Sequence, residues 1–378
     1  MSGKQIGVAV IGNGQRAKHV VSNLLRDSER MVKIVSVYDP DVEVSKTCMK
    51  FWQSPDAKIC GSCEEAVNTP GVDWVMVFSP NAHHKEGILT GFAAGKHVFS
   101  EKPLATTIDD CRAIYEAHQK SGLLFATGFV LRYAPIYRRI KEILDSGVLG
   151  SIIAIDANEN IAPEHGGYIM CNWRRHTSEA GPHILEKCCH DLDLLLWFIG
   201  SLPSRVASFG GRNFFTSANA KLMEKYGKKT FCTWPDPHAT ETPFTEDTDL
   251  MDNSVSVAEF RNGVRMTFTA TMSNAMPERR MLFSCSEGTL SMDLYSLLIR
   301  YKRLGSDEIT EISFRGDGHG GGDSFIMKEL YETMCTGSLP KCSGSEGLQS
   351  AVFALAMDEA ARKGSVVDLE PVWSSLGR

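Results

Sequence analysis

Residues 5–39 constrain this chain more than any other stretch. Gln5 to Ile11 (QIGVAVI) is a short apolar run rich in valine and isoleucine, which reads as a buried strand. Gly12-Asn13-Gly14-Gln15-Arg16-Ala17 follows at once, and a helical stretch then runs to about Arg26. Gly12 permits the tight turn, Gly14 lets backbone approach a pyrophosphate, and small Ala17 lets helix and strand pack closely. The free N–H groups at the start of such a helix, with the positive end of its dipole, attract phosphate. A second strand, Val32 to Tyr38, ends in Asp39, 22 residues after Ala17. A carboxylate there accepts from adenosine ribose hydroxyls and repels a 2′-phosphate. The alternative is an acid that merely ends a strand. With the glycine motif in place, the expected cofactor is NAD, bound through Gly12, Asn13, Gly14, Gln15, Arg16, Ala17 and Asp39. Arg16 is expected beside the pyrophosphate.

The alternation continues with a helix near 41–52, a short strand at 58–59, a helix at 63–67 and a buried strand from Asp73 to Ser79. A helix at 84–94 leads to GKHVFSEKPL, Gly95 to Leu104, and a helix at 108–121 and a strand at 123–128 complete the series. Repeated βα units predict a doubly wound parallel sheet over residues 1–128. In such sheets ligands bind beyond the carboxyl ends of the strands, where Glu101-Lys102-Pro103 falls. Read alone, that pair is equally well a surface Glu-Lys ending a strand.

Together the glycine motif with its downstream acid, Ser79-Pro80-Asn81-Ala82-His83-His84 and GKHVFSEKPL resemble the Gfo/Idh/MocA family. These are oxidoreductases of the glucose–fructose oxidoreductase, inositol dehydrogenase and rhizopine-catabolism type. The resemblance implies that Ser79, Pro80, Asn81, His84, Glu101 and Lys102 border the cofactor. It also places Lys102 near the nicotinamide and the substrate hydroxyl, and Arg132 at the active-site border. Arg132 is as readily a salt-bridged hinge residue.

Residues 129–378 are expected to form a second, α+β domain with a largely antiparallel open sheet, whose last helix can pack back on the first. Gly181 to Gly200 (GPHILEKCCHDLDLLLWFIG) predicts one buried helix, with proline at its start and glycine at its stop. On it His183, Glu186, Lys187, His190 and Asp193 share one face. Buried ionisable groups need partners, and their clustering suggests a site. Glu186 and His190, four apart, can pair so that the carboxylate orients the imidazole for proton transfer. A buried polar network is the other reading, and a zinc site has no completing motif, so no metal is expected. The family resemblance assigns His190 as proton-transfer base and places Glu186 where aspartate is commoner.

Ile161 to Ala180 reads as a polar, aromatic substrate loop offering His165, Tyr168, Trp173, Arg174 and Arg175. Ser217 to Leu250 reads as a long loop, and Arg315 to Asp323 as a helix approach with Asp323 at the N-cap. His319 lies there, within reach of the site by resemblance. The strands after Arg205 predict the open sheet, which in the family supports a homodimer or homotetramer.

Composition closes other routes. A net charge of −6 and pI near 6.0 argue against nucleic acid and anionic membrane as partners, and no run is long enough to span a bilayer. The start lacks a signal-peptide pattern, and the 11 cysteines lack disulfide-framework spacing, so a reducing cytoplasm is expected. Cys60-Gly-Ser-Cys63 reads as incidental. The expected activity is NAD-dependent oxidation of a secondary alcohol of a sugar, glycoside or cyclitol, with Lys102, Glu186 and His190 as catalytic residues. Two alternatives stay open. One is redox-neutral chemistry on tightly held, recycled NAD (a glycosidase or epimerase type), and the other is a non-catalytic nucleotide-binding protein.

Overall fold

The computed structural model describes residues 5–231, 239–316 and 319–378, and the chain divides into two units. The first holds residues 1–134 and 321–351, the second residues 135–320 and 352–378.

In the first unit six parallel strands take the order β3-β2-β1-β4-β5-β6. They are β1 (Ile6–Ile11), β2 (Val32–Tyr38), β3 (Lys58–Ile59), β4 (Trp74–Val77), β5 (His97–Ser100) and β6 (Phe125–Thr127). Every residue of β1 and β4 is buried, as in a parallel sheet covered on both faces. The crossovers are helices α1 (Gln15–Asp27), α2 (Val42–Trp52), α3 (Cys63–Val67), α4 (His84–Ala93) and α5 (Ile108–Ser121). Side chains start three of them: Asp41 caps α2, Ser62 caps α3 and Thr107 caps α5. Strand order reverses at β1/β4, the switch point where an open α/β sheet binds ligands. Cys60 and Cys63 are buried thiols, and burial pushes Cys63 up to about 11.

The expected single boundary near residue 128 needs correction, because the chain returns to the first unit. The helix Gly322–Thr336 packs on α1 and on the turn Val130–Tyr133. The Thr127 N–H at edge strand β6 donates to Cys342 O (3.0 Å), and the Thr127 hydroxyl donates to Ser343 O (3.0 Å). The returning segment thereby covers a strand edge that water or another strand would otherwise meet. Asp323 is not the N-cap. Gly321 takes that place with φ +85°, and Asp323 stands in the first turn. The final long helix runs from Gly344 to Lys363, with the unit boundary inside it, after Ala351.

The second unit opens with α6 (Pro135–Asp145) and centres on a nine-stranded sheet of order β14-β13-β12-β11-β7-β10-β9-β8-β15. Its strands are β7 (Ile152–Asn160), β8 (Pro203–Gly211), β9 (Asn253–Phe260), β10 (Arg265–Thr271), β11 (Arg280–Cys285), β12 (Gly288–Asp293), β13 (Leu298–Arg303), β14 (Thr310–Ser313) and β15 (Val367–Asp368). Only β7 and β10 pair in parallel, so the sheet is largely antiparallel as expected. Alternation along β10 buries Met266, Phe268 and Ala270 and leaves the other face half-exposed. The β9–β10 turn places Gly263 at φ +84°, the left-handed position that closes such a hairpin.

Two expected loops are built differently. Residues 161–180 are helical, as α7 (Pro163–Cys171), a 3₁₀ turn Trp173–Arg175 and α8 (Thr177–Ala180). A Cβ on Gly167 of α7 would lie 1.6 Å from Phe231 O, so only glycine lets the helix meet that backbone. The 217–250 segment carries a short helix, Lys221–Tyr226, and folds over its own apolar cluster. In that cluster Phe231, Phe244 and Leu250 join Phe215, Ile161, Ile169, Met170 and Met272. Trp234 to Pro237 lie outside the described residues. Three phenylalanine rings supply enough apolar area to order what polarity alone marked as loop. Among the described residues no helix is long and apolar enough to cross a membrane.

Candidate functional site

In the first unit the candidate residues gather at the carboxyl ends of β1, β2, β4 and β5. Gly12 turns with φ +79°, and a Cβ there would lie 2.4 Å from Ser79 N, so the loops after β1 and β4 meet backbone to backbone. A Cβ on Gly14 would meet nothing within 4 Å. Gly14 is the N-cap of α1, with no side-chain cap and no acid in the first turn. The helix N-terminus therefore keeps its positive end unneutralised. Asp39 accepts the Asn13 N–H (2.8 Å) on one carboxylate oxygen and the Asp41 N–H (2.9 Å) on the other. Asn13 is buried, its side chain donating to Ser45 Oγ (2.9 Å), so it shapes the loop through its backbone. Ala17 is fully buried and Gln15 exposed.

Arg16 makes two ion pairs within the first unit. Its Nε donates to Glu101 (2.7 Å) and its Nη1 to Asp323 (2.7 Å). Burial opposes the charge, but the two carboxylates outweigh it and raise the guanidinium above its ordinary value. Arg16 and Glu101 thus tie α1 to the strap after β5 and to the returning helix. Glu101 also accepts the Lys102 N–H (3.2 Å), which sets the backbone just before the half-buried Lys102 side chain. The expectation for His84 is corrected. Its buried ring bridges Pro103 O (Nδ1, 2.7 Å) and Ser79 O (Nε2, 2.9 Å), so it holds the two loops instead of facing a ligand. Burial lowers its pKa against the pull of those carbonyls and Glu101. Asn81 is buried, Pro80 exposed, and Arg132 lies half-buried on the turn Val130–Tyr133 of this same unit.

In the second unit the expected single helix is broken. α9 (His183–Glu186) and α10 (Cys189–Ile199) are separated by Lys187 and Cys188. Glu186 ends one helix and His190 sits second in the next, so their spacing is not the i, i+4 of a continuous helix. Glu186 accepts instead from Arg174 Nε (2.9 Å). Arg174 Nη1 donates to the Tyr168 hydroxyl (3.1 Å), and the guanidinium lies over the Trp173 ring at 4.2 Å and the Tyr168 ring at 5.3 Å. Arg175 pairs with Asp247 (2.8 Å), away from that group. His190 and Asp193 are buried, and the ring of His319 lies 6.1 Å from that of His190.

Beneath these groups lies a charge network that sequence reasoning missed. Arg279 donates through Nε and Nη2 to both oxygens of Asp191 (2.8 and 2.7 Å), and its Nη1 lies 3.2 Å from Glu159. Lys187 reaches the same Glu159 oxygen at 3.8 Å. All but Lys187 are buried. Of the two carboxyls Asp191 is the one pushed up, by burial and by Glu159, against the pull of Arg279. Glu159 is held low because Arg279 and Lys187 outweigh its burial. Glu159 was legible, since Ile155, Ala157 and Glu159 share a strand face and two are core. Nothing in the sequence around Arg279 marks it.

His183 is buried, and neither ring nitrogen has a hydrogen-bond partner among the described residues. Burial lowers it to about 4, against the pull of Glu159 and Glu186. Burial likewise holds His165 well below its ordinary value, with Lys187 adding to the effect. Among the described residues no group of three or more His, Cys, Asp or Glu can hold a metal ion.

Two family models match in succession. Residues 6–129 match the GFO_IDH_MocA oxidoreductase family with its NAD-binding Rossmann fold, and residues 137–291 match the GFO/IDH/MocA C-terminal domain. The chain belongs to the Gfo/Idh/MocA family. An inositol 2-dehydrogenase of Gluconacetobacter diazotrophicus is 32% identical over 198 residues, 51% of this chain and 54% of that protein. A 2,7-anhydro-N-acetylneuraminate hydratase of Mediterraneibacter gnavus is 26% identical over 208 residues, 55% of this chain and 53% of that protein. Each of these two matches spans about half the relative's length. A solved levoglucosan dehydrogenase, in complex with NADH and levoglucosan, superposes with a TM-score of 0.79 over 97% of this chain and 99% of that one, at 17% identity. This likeness shows the fold.

The first unit of this Gfo/Idh/MocA protein is an NAD-binding domain, and its residues fit that cofactor. Gly14 leaves room for pyrophosphate, the uncapped N-terminus of α1 supplies N–H donors, and both Asp39 oxygens retain lone pairs for ribose hydroxyls.

Proposed function

We propose that the chain is an NAD-dependent dehydrogenase of a secondary alcohol on a sugar, glycoside or cyclitol. The observation that carries this reading is the succession of the two family models along one chain, supported by relatives named for inositol and levoglucosan. Bound NAD supplies the hydride acceptor. His190, buried on α10, accepts the hydroxyl proton. Lys102, at the carboxyl end of β5, assists by stabilising the charge that develops as the proton leaves. Glu186 assists through Arg174, which it holds in place. We also assign the half-exposed face of the large sheet, with Ile153, Phe209, Val255 and Val257 exposed, as the homo-oligomer surface.

Purified protein with NAD and a panel of cyclitols, aldoses and pyranosides tests the reading, following NADH absorbance and product mass together. NADH should rise alongside a product two hydrogens lighter. Lys102→Ala and His190→Ala should each abolish turnover while NAD binding is largely kept, and full turnover in either variant sinks the assignment. A second reading has its own support, the relative named a hydratase. In it a substrate carbon is oxidised transiently and reduced again, so the net reaction is redox-neutral. Product without accumulated NADH selects it.

A further inference from the structure

We propose that Arg174 is a specificity-determining residue that reads a carboxylate on the substrate, making the substrate class a ring-form sugar acid, a uronate. This rests on the dehydrogenase reading above for the place of substrate in the second unit.

Two arginines show how this molecule satisfies a guanidinium with carboxylates. Arg16 joins two of them, Glu101 and Asp323. Arg279 also joins two, Asp191 and Glu159, and grips Asp191 with two parallel N–H donors. Arg174 meets one carboxylate, Glu186, and meets it with Nε alone. Its Nη1 is given to a neutral tyrosine hydroxyl, and its Nη2 makes no hydrogen bond with any described residue. A guanidinium has five N–H donors, so Nη2 and the second Nη1 hydrogen remain as an end-on fork. Two parallel N–H donors of that spacing match the two oxygens of a carboxylate.

The fork is held still. The Arg174 backbone N–H donates to the Asn172 side chain (2.9 Å), Trp173 stacks at 4.2 Å, and Glu186 fixes Nε. Its side chain is 24% exposed, enough for a ligand to reach and little enough for water to compete weakly. Trp173 and Tyr168 beside it offer aromatic faces for the apolar side of a sugar ring. A planar carboxylate suits this single cation better than a doubly charged phosphate. The next cation of the cluster, Lys187, faces Glu159.

The test is ligand affinity of the NADH-loaded protein by calorimetry, using matched sets of glucose, glucuronate and glucose 6-phosphate, and of galactose and galacturonate. Each uronate should bind about tenfold to a hundredfold more tightly than its neutral counterpart, the difference a bidentate charged hydrogen bond makes. Arg174→Gln should erase that preference while NADH affinity stays within about twofold, and Arg174→Lys should fall between. NADH affinity reports whether each variant is folded. The proposal is overturned if no uronate outbinds its neutral counterpart, if the phosphate outbinds both, or if Arg174→Gln weakens neutral and acidic sugars alike. Binding is read without turnover. A uronate preference with no NADH formed from any substrate therefore upholds Arg174 and counts against the dehydrogenase reading alone.

Discussion

His183 makes the acid stability of the second unit predictable. Its ring is buried without a hydrogen-bond partner among the described residues, and burial lowers it from 6.5 to about 4. Its proton is thus bound more weakly in the folded state than in the unfolded chain. Stability from a neutral His183 is fully present above 6.5 and is lost as pH falls from 6.5 towards 4. The shift corresponds to about 3 kcal/mol once both states are protonated, about 2 kcal/mol of it between pH 7.5 and pH 5. Glu159 and Asp191 also titrate differently in the fold. The measurement is therefore a difference: urea unfolding of wild type and His183→Gln at pH 7.5 and at pH 5. The wild type should lose about 2 kcal/mol more than the variant on acidification. Equal losses in the two proteins would refute a buried, neutral His183.

Two further outcomes follow from single contacts. Asp39→Ala should weaken NAD binding about tenfold by removing ribose acceptors, and it should narrow the preference over NADP because the charge that repels a 2′-phosphate is gone. Titrating both cofactors against protein fluorescence checks it. Arg279→Met should lower urea stability by about 3–5 kcal/mol, since it leaves Asp191 and Glu159 buried together without their shared cation. Stability within about 1 kcal/mol of wild type would show that the network is not held by that arginine.

The first unit was readable almost residue by residue, because each of its signals is local. Buried parallel strands are short apolar runs, crossover helices begin at Asp41, Ser62 and Thr107, and the glycine turn sits where β1 ends. What escaped was long-range: nothing near Asp323 says that it meets Arg16, 307 positions away. The return of residues 321–351 to the first sheet depends on that pairing and on Cys342 meeting Thr127, which no periodicity encodes. The 217–250 segment was misread for the opposite reason. Its composition is polar, yet Phe231 and Phe244 suffice to close an apolar cluster with Phe215.

The candidate site shows why motif and geometry part company at Glu186. Helical spacing placed its carboxylate beside His190, and that inference holds only while the helix is unbroken. The turn at Lys187 and Cys188 comes where the Lys187 amine reaches Glu159 and Asp191 is gripped by Arg279, ties that hold the start of α10 to the sheet. Where the helix is interrupted, the nearby cation Arg174 takes the Glu186 carboxylate at 2.9 Å. The longer glutamate is what makes this reach possible, since an aspartate at the same backbone position falls about one bond length short of Nε. A shorter acid would leave Arg174 without its Nε partner, and with it the fixed orientation on which recognition of a substrate carboxylate depends. Glu186→Asp should therefore reduce uronate preference before it reduces oxidation of neutral sugars. A variant that loses both in step would instead place Glu186 in the proton-transfer step itself.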